Sequence, residues 1–103
     1  MLSVVLVTYP DKEKANDFCK TLVSEHLVAC INILPGIKSL YWWEGKVEEG
    51  NEVLLIMKTT VEKLPLLEAR VKELHPYSVP EFVVIPASYV GDGYMNWAAE
   101  VLR

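Results

Sequence analysis

The sequence predicts an α+β domain with the element order β-α-β-β-α-β and one further helix at the end. Three observations support this order: four runs rich in branched apolar residues, two stretches of helical apolar periodicity, and a central pair of runs with no helix between them. Two βαβ halves joined by a hairpin form the ferredoxin-like arrangement, in which helices cover one face of an antiparallel sheet.

The first unit is a strand followed by a helix. Residues 3–8 read S-V-V-L-V-T, a β-branched run that is apolar on both faces. Pro10 cannot extend a strand ladder and Asp11 is a favourable helix N-cap, so we expect a helix over 12–26. The apolar residues of this helix recur at helical spacing: Ala15, Phe18, Cys19, Leu22 and Val23.

A long central hairpin over 28–60 is the feature around which the chain is organised. Its first arm, 28–43, would be about 50 Å long at roughly 3.3 Å per residue, about three times a typical strand. Pro35-Gly36 predicts a bulge or an edge position in this arm, and Glu44-Gly45-Lys46 predicts the turn. A return strand is expected over 52–60. Because so small a chain cannot cover so long a hairpin, we expect the hairpin to contact another copy of the protein.

The second half contains a helix, a strand and a terminal helix. We expect a helix over 62–74, with Pro65 in its first turn, and then a loop over 75–81 that two prolines make rigid. A strand over 82–86 and a short helix over 94–103 complete the chain, which forms a single domain of residues 1–103.

Composition and charge exclude several classes of partner. A net charge of −4 and a pI near 5.1 argue against a nucleic acid and against an anionic membrane surface, since both require a basic face. The apolar start, residues 1–7, is too short for a signal peptide or a spanning helix. Cys19 and Cys30 are expected to be free thiols, as in a reducing compartment. We therefore expect a cytoplasmic protein.

The strands predict an oligomer. All four strands are nearly continuously apolar, whereas apolar and polar residues alternate along the strands of a sheet that has one solvent-exposed face. Two helices and a short third cannot cover both faces, so an identical subunit is the simplest cover for the second face. This pattern predicts a compact closed oligomer and leaves two or three subunits open.

The sequence contains no recognisable catalytic motif. It has no Ser-His-Asp order, no nucleophile elbow and no pair of carboxylates with an obvious acid–base role. Gly91-Asp92-Gly93 is too short for a phosphate loop and lacks the lysine. We therefore do not expect an enzyme.

Five separated motifs in order resemble the CutA family of divalent-cation tolerance proteins, and together they cover essentially the whole chain. They read A-C-I-N-I-L-P-G at 29–36, S-x-Y-x-W-x-G-K at 39–46, E-V-L-L-I-M-K-T at 52–59, H-P-Y-x-V-P-E at 75–81 and Y-x-x-W at 94–97. The resemblance implies a ferredoxin-like fold, a compact homotrimer and a role in the tolerance of copper and other divalent metals. The trimer of this family is similar in architecture to the PII signalling proteins, which bind small effectors in clefts between subunits.

His75 and Cys30 are the candidate metal ligands. The resemblance implies a histidine at the H-P-Y motif, which is His75 here, and Cys30 matches the A-C of the second strand. The first strand holds no cysteine and Leu74 stands where some relatives carry a second histidine, so we expect weak binding of copper or another divalent metal. Two structural alternatives stay open, a hydrogen-bonded histidine at a helix end and a cysteine buried in the core.

Five residues are candidates for a cleft or a subunit interface: Tyr41, Trp43, Lys58, Tyr77 and Glu81. Aromatic density in the first arm, including Trp42, favours an interface anchor over a ligand-stacking wall. Two alternatives stay open for Lys58: it points into a cleft beside Tyr77 or Trp43, or it is a solvated strand end. The predicted function is therefore divalent-metal binding in metal tolerance. The alternatives are a PII-like trimeric sensor or adaptor that binds a small molecule or a protein in the intersubunit cleft, and a purely structural scaffold.

Overall fold

The computed structural model describes all residues, Met1–Arg103, and has the expected order of elements. The elements are β1 (Leu2–Tyr9), α1 (Lys12–Ser24), β2 (Cys30–Trp43), β3 (Lys46–Thr60), a 3₁₀ turn (Val61–Lys63), α2 (Leu64–Leu74), β4 (Val83–Pro86) and α3 (Asp92–Val101). None of the helices combines the length and the apolar character that crossing a bilayer requires.

The four strands form one antiparallel sheet in the order β2-β3-β1-β4. Val5 at the centre of β1 lies opposite Met57 of β3 on one side and Val84 of β4 on the other. The predicted ferredoxin-like topology is therefore confirmed, since the two βαβ halves interleave with β1 and β3 in the middle of the sheet.

The central hairpin has the predicted bulge and turn. The register shifts between Leu34 and Ile37, where Gly36 adopts a φ of 76° that favours glycine. Glu44 and Gly45, with φ of 49° and 80°, form the two-residue connection. β3 begins at Lys46, well before the expected start at residue 52, because its acidic first residues pair with the aromatic end of β2. The hairpin accounts for the elongated shape of the subunit, whose longest dimension is 44 Å.

Helices α1 and α2 cover one face of the sheet and enclose the main core. Asp11 caps α1 as predicted, because its carboxylate accepts a hydrogen bond of 3.0 Å from the amide of Lys14. The core consists of residues from both helices and from the facing side of the strands, among them Val5, Val7, Phe18, Leu22, Leu55, Met57, Leu67 and Val71.

Several element boundaries differ from the expected ones. α1 ends at Ser24 because His26 has a left-handed φ of 59° and its Nδ1 lies 2.9 Å from the carbonyl oxygen of Val101. The helix expected from residue 62 begins as a 3₁₀ turn, and Pro65 lies in the first turn of α2 as predicted. α3 starts at Asp92, two residues before the expected start at residue 94.

The second face of the sheet is apolar and largely free of helices. By strand register it presents the following residues on one side, which we call the open face: Val4, Leu6, Leu34, Leu54, Ile56, Val83 and Ile85. Val83 and Ile85 are each 47% exposed. Only α3 packs nearby, at one end of the sheet, where Ala98 and Leu102 contact Leu2 and Ala29. The prediction that the helices leave one apolar face uncovered is confirmed.

Candidate functional site

A cleft of about 910 Å³ lies between the loop at 76–81 and the outer half of the hairpin. Pro76 and Pro80 restrict the backbone of this loop. Six side chains give the cleft its chemical character: Tyr41, Trp42, Trp43, Glu52, Tyr77 and Glu81. The lining is thus aromatic and acidic.

Strand register explains why residues of the two hairpin arms meet in the cleft. Ile37 lies opposite Glu52, and Tyr41 lies opposite Glu48. Because side chains alternate along a strand, Tyr41, Trp43 and Glu52 all lie on one side of the hairpin. That side continues the open face, since Glu52 is two residues from Leu54.

Glu52 is the most buried charged group of the cleft. It is only 8% exposed, and its Oε2 accepts a hydrogen bond of 2.8 Å from the hydroxyl of Tyr77. Burial, together with this hydrogen bond to the carboxylate, raises the pKa of Tyr77 to about 12. The tyrosine is therefore a permanent donor at physiological pH, and Glu52 anchors the loop to the hairpin.

Glu81 forms the second carboxylate of the cleft. Partial burial raises its pKa above the ordinary value, and the negative charge of Glu52 raises it further. The folded state therefore binds the Glu81 proton more tightly than the unfolded chain does. As a consequence, the free energy of unfolding falls as the pH rises from the ordinary glutamate pKa of about 4.3 through the pKa in the folded protein.

We therefore expect the Glu81→Gln variant to melt at a slightly higher temperature than the wild type at pH 7 but not at pH 3.5, where the wild-type carboxyl is protonated. Thermal unfolding at both pH values tests this. Glu62→Gln removes the same charge from the exposed 3₁₀ turn outside the cleft and serves as the control. A gain in melting temperature that is equal at both pH values would contradict the explanation.

His75 lies next to the cleft, behind its loop, and is only 7% exposed. Its Nε2 lies 2.7 Å from the carbonyl oxygen of Thr8, and its Nδ1 lies 3.0 Å from the backbone nitrogen of Tyr77. Because a backbone N–H can only donate, Nδ1 accepts and the ring proton is on Nε2, which donates to Thr8. The rings of Tyr9, Phe18 and Tyr77 surround the imidazole at centroid distances of 5.0, 5.8 and 4.9 Å. Both nitrogens are thus engaged within the subunit.

Cys30 lies at the start of β2, half-buried and opposite Lys58. Burial, and then the neighbouring Cys30 thiol, raise the pKa of Tyr94 on α3. The carbonyl that binds His75 belongs to Thr8, which lies opposite Leu54. Lys58, opposite Cys30, and Leu54, opposite Thr8, are four residues apart on β3, which is a distance of roughly 13 Å along the strand.

The structure therefore does not bring the two candidate metal ligands together within one chain. Cys30 and His75 also lie on opposite sides of β3 in the strand order, with the His75 partner on β1 and Cys30 on β2. No three side chains of histidine, cysteine, aspartate or glutamate are placed together to hold a metal ion in the subunit.

Four of the five candidate cleft residues line the cleft: Tyr41, Trp43, Tyr77 and Glu81. Lys58 does not, and the expectation that it points toward Tyr77 or Trp43 is wrong. It lies six residues beyond Glu52 on β3, roughly 20 Å away, and its ammonium donates to the side-chain oxygen of Asn32. Lys58 therefore lies at the end of the sheet that is distant from the loop at 76–81.

Glu52 is a buried residue of the cleft that the sequence interpretation missed. The available signal was a glutamate directly before the apolar run V-L-L-I-M, in a strand whose other acidic residues lie near the turn. Its burial depends on Tyr77, which comes from a distant part of the chain.

Fold and cleft together define a class of protein: a ferredoxin-like α+β subunit with a protruding hairpin, an uncovered sheet face and a cleft beside that face. The comparisons with known proteins identify the family. The chain matches the family model described as CutA1 divalent ion tolerance protein over residues 3–101, and it belongs to that family.

Relatives in bacteria and plants are similar along nearly the full chain. The "Divalent-cation tolerance protein CutA" of Thermus thermophilus is 48% identical over 100 residues, which is 97% of each chain. "Protein CutA 1, chloroplastic" of rice is 46% identical over 97% of this chain and 56% of its own length.

Solved structures agree with the fold. The Thermus thermophilus protein has a TM-score of 0.92 at 48% identity, with 95% of each chain covered. The structure described as a periplasmic divalent cation tolerance protein CutA from Archaeoglobus fulgidus has a TM-score of 0.96 at 36% identity and covers both chains completely.

Proposed function

We propose that this protein acts in divalent-cation tolerance as a cytoplasmic homotrimer that binds divalent metal ions weakly, copper among them, and catalyses no reaction. The observation that carries the proposal is the family match over residues 3–101, since the relatives are named for cation tolerance and not for a reaction. The acidic balance of the chain, with a net charge of −4, is compatible with cations as partners.

Cys30 and His75 remain the proposed ligands, because thiolate and imidazole suit copper. They lie too far apart to bind one ion within a subunit, so each would need donors from a neighbouring subunit. Cys30 is the better placed of the two, since it is half-buried on the side of the sheet that carries the open face. His75 would first have to give up its bonds to Thr8 or Tyr77.

Calorimetric titration with copper tests this proposal. The wild type is expected to bind with micromolar or weaker affinity, and Cys30→Ser is expected to weaken binding by about tenfold or more, because a thiolate ligand is lost. Cys19→Ala removes the other thiol, which is buried in the core with a pKa raised to about 11, and should bind copper as the wild type does.

Two results would overturn the metal proposal. One is the absence of saturable copper binding in a protein with intact fold and assembly. The other is an unchanged affinity in Cys30→Ser together with an unchanged affinity in a His75 variant whose fold is confirmed by circular dichroism.

The open face supports the homotrimer. Seven apolar side chains from all four strands lie together there, and the helices of the same subunit do not cover them. A heterologous contact that closes into a ring of three identical subunits would bury this face, as a solvent-exposed patch of such size is uncommon in monomers.

A second function is proposed on a separate observation, the cleft beside the open face. Its volume of about 910 Å³ falls within the range of roughly 300–1,000 Å³ that small-molecule sites occupy. In a trimer that buries the open face, this cleft would lie near the subunit boundary. The alternative is thus a PII-like sensor or adaptor that binds a small molecule or a protein segment there.

A further inference from the structure

We propose that the cleft binds an organic cation, an ammonium group on an apolar body, with Glu52 as the anionic partner and the rings of Tyr41 and Tyr77 beside it. This inference rests on the second proposed function, small-molecule binding in the cleft, and names the class of ligand. It is independent of copper binding at Cys30 or His75.

Glu52 is a buried carboxylate, and one of its two oxygens has no hydrogen-bond partner in the protein. Its Oε2 accepts from Tyr77, whereas its Oε1 has no partner in the protein. No side-chain oxygen that is sealed from solvent is left unpaired in the subunit, so Oε1 opens into the cleft that Glu52 lines. A carboxylate that is 8% exposed is stabilised by a cation within hydrogen-bond distance.

The charges of the cleft are unbalanced in favour of a cation. Glu52 and Glu81 both line it, and the only cationic side chain in the lining, Lys38, pairs with Glu49 at 3.2 Å. Burial first, and then the negative charge of Glu52, raise the pKa of Glu81, and a cation bound between the two carboxylates would offset the second of these effects.

The aromatic lining favours an organic cation over a metal ion. Tyr41 and Trp43 lie on the same side of the hairpin as Glu52, and Tyr77 is held against Glu52 from the loop. Ring faces attract ammonium groups within about 6 Å and also pack against hydrocarbon. A hard divalent ion requires about six oxygen ligands, whereas the subunit places no three suitable donors together.

Three small probes of nearly equal size test the proposal: benzylammonium, benzyl alcohol and benzoate. Binding is followed by calorimetry and by tryptophan fluorescence at pH 7 in the presence of a chelator, so that metal plays no part. We expect benzylammonium to bind saturably, benzyl alcohol to bind about tenfold or more weakly, and benzoate not to bind.

Matched variants locate the site. Glu52→Gln keeps an acceptor for Tyr77 and should weaken benzylammonium binding about tenfold or more, while Glu81→Gln should weaken it less. Glu62→Gln, which lies outside the cleft, should bind as the wild type does. If Glu52→Gln does not fold, Glu81→Gln still tests the site. Glu81 is more exposed than Glu52, and its variant should bind benzylammonium more weakly than the wild type does.

The proposal is overturned by equal binding of benzyl alcohol and benzylammonium, which would make the cleft a purely apolar slot. It is also overturned by the absence of saturable binding in the folded wild type, as expected if a second copy of the chain fills the cleft. Failure of copper to bind would leave this result untouched, so the two proposals fail separately.

Discussion

The His75→Ala variant is expected to lose about 3–5 kcal/mol of unfolding free energy, the range for removing a large buried ring. The substitution leaves the carbonyl of Thr8 without its donor and the amide of Tyr77 without its acceptor. It also leaves a cavity among three aromatic rings. Denaturant unfolding followed by circular dichroism, at one fixed protein concentration, measures the loss.

Two comparisons separate a structural role of His75 from a metal-binding role. His75→Phe retains the ring volume and lacks both hydrogen bonds, so it should lose less stability than alanine does, about 1–3 kcal/mol. Both losses should be the same with and without a chelator. A loss that disappears when metal is removed would instead mean that His75 stabilises the fold through a bound ion.

The second large effect is expected at the open face. Ile56 lies opposite Leu6 at the centre of that face, so Ile56→Lys would place a charge in the contact between subunits. Light scattering should give three times the chain mass of 11.7 kDa for the wild type and a value near one chain mass for the variant.

Leu66→Lys makes the same chemical change on the outer surface of α2, where Leu66 is 60% exposed, and should leave the assembly intact. Circular dichroism of Ile56→Lys shows whether the separated subunit stays folded. A wild type that scatters as a single chain would contradict the trimer.

Much of the fold could be predicted because its signals are local. Pro10 and Asp11 determine where β1 ends and α1 begins, Gly36 marks the bulge, and Gly45 marks the turn. The continuously apolar strands predicted an uncovered sheet face. That conclusion requires only that both faces of the sheet are apolar and that the predicted helices are too few to cover both.

The site could be predicted only in part, because it depends on contacts between distant segments. Tyr77 and Glu81 were found through one motif, but the burial of Glu52 requires Tyr77 to cross to the hairpin. The error at Lys58 came from assigning the wrong end of β3 to the loop. The bond between His26 and the end of α3 has no local signal either.

The bulge at Pro35-Gly36 also inverts the phase of β2. Before it, Ile31 and Ile33 face the helices, opposite Met57 and Leu55. After it, the odd-numbered residues face the other way, because Ile37 lies opposite Glu52. A single deletion at this point would remove the extra residue and restore simple alternation, because Ile37 would then follow Leu34 by two positions and stay opposite Glu52. Tyr41 and Trp43 would keep their side of the hairpin, and only the local bend of the strand would be lost.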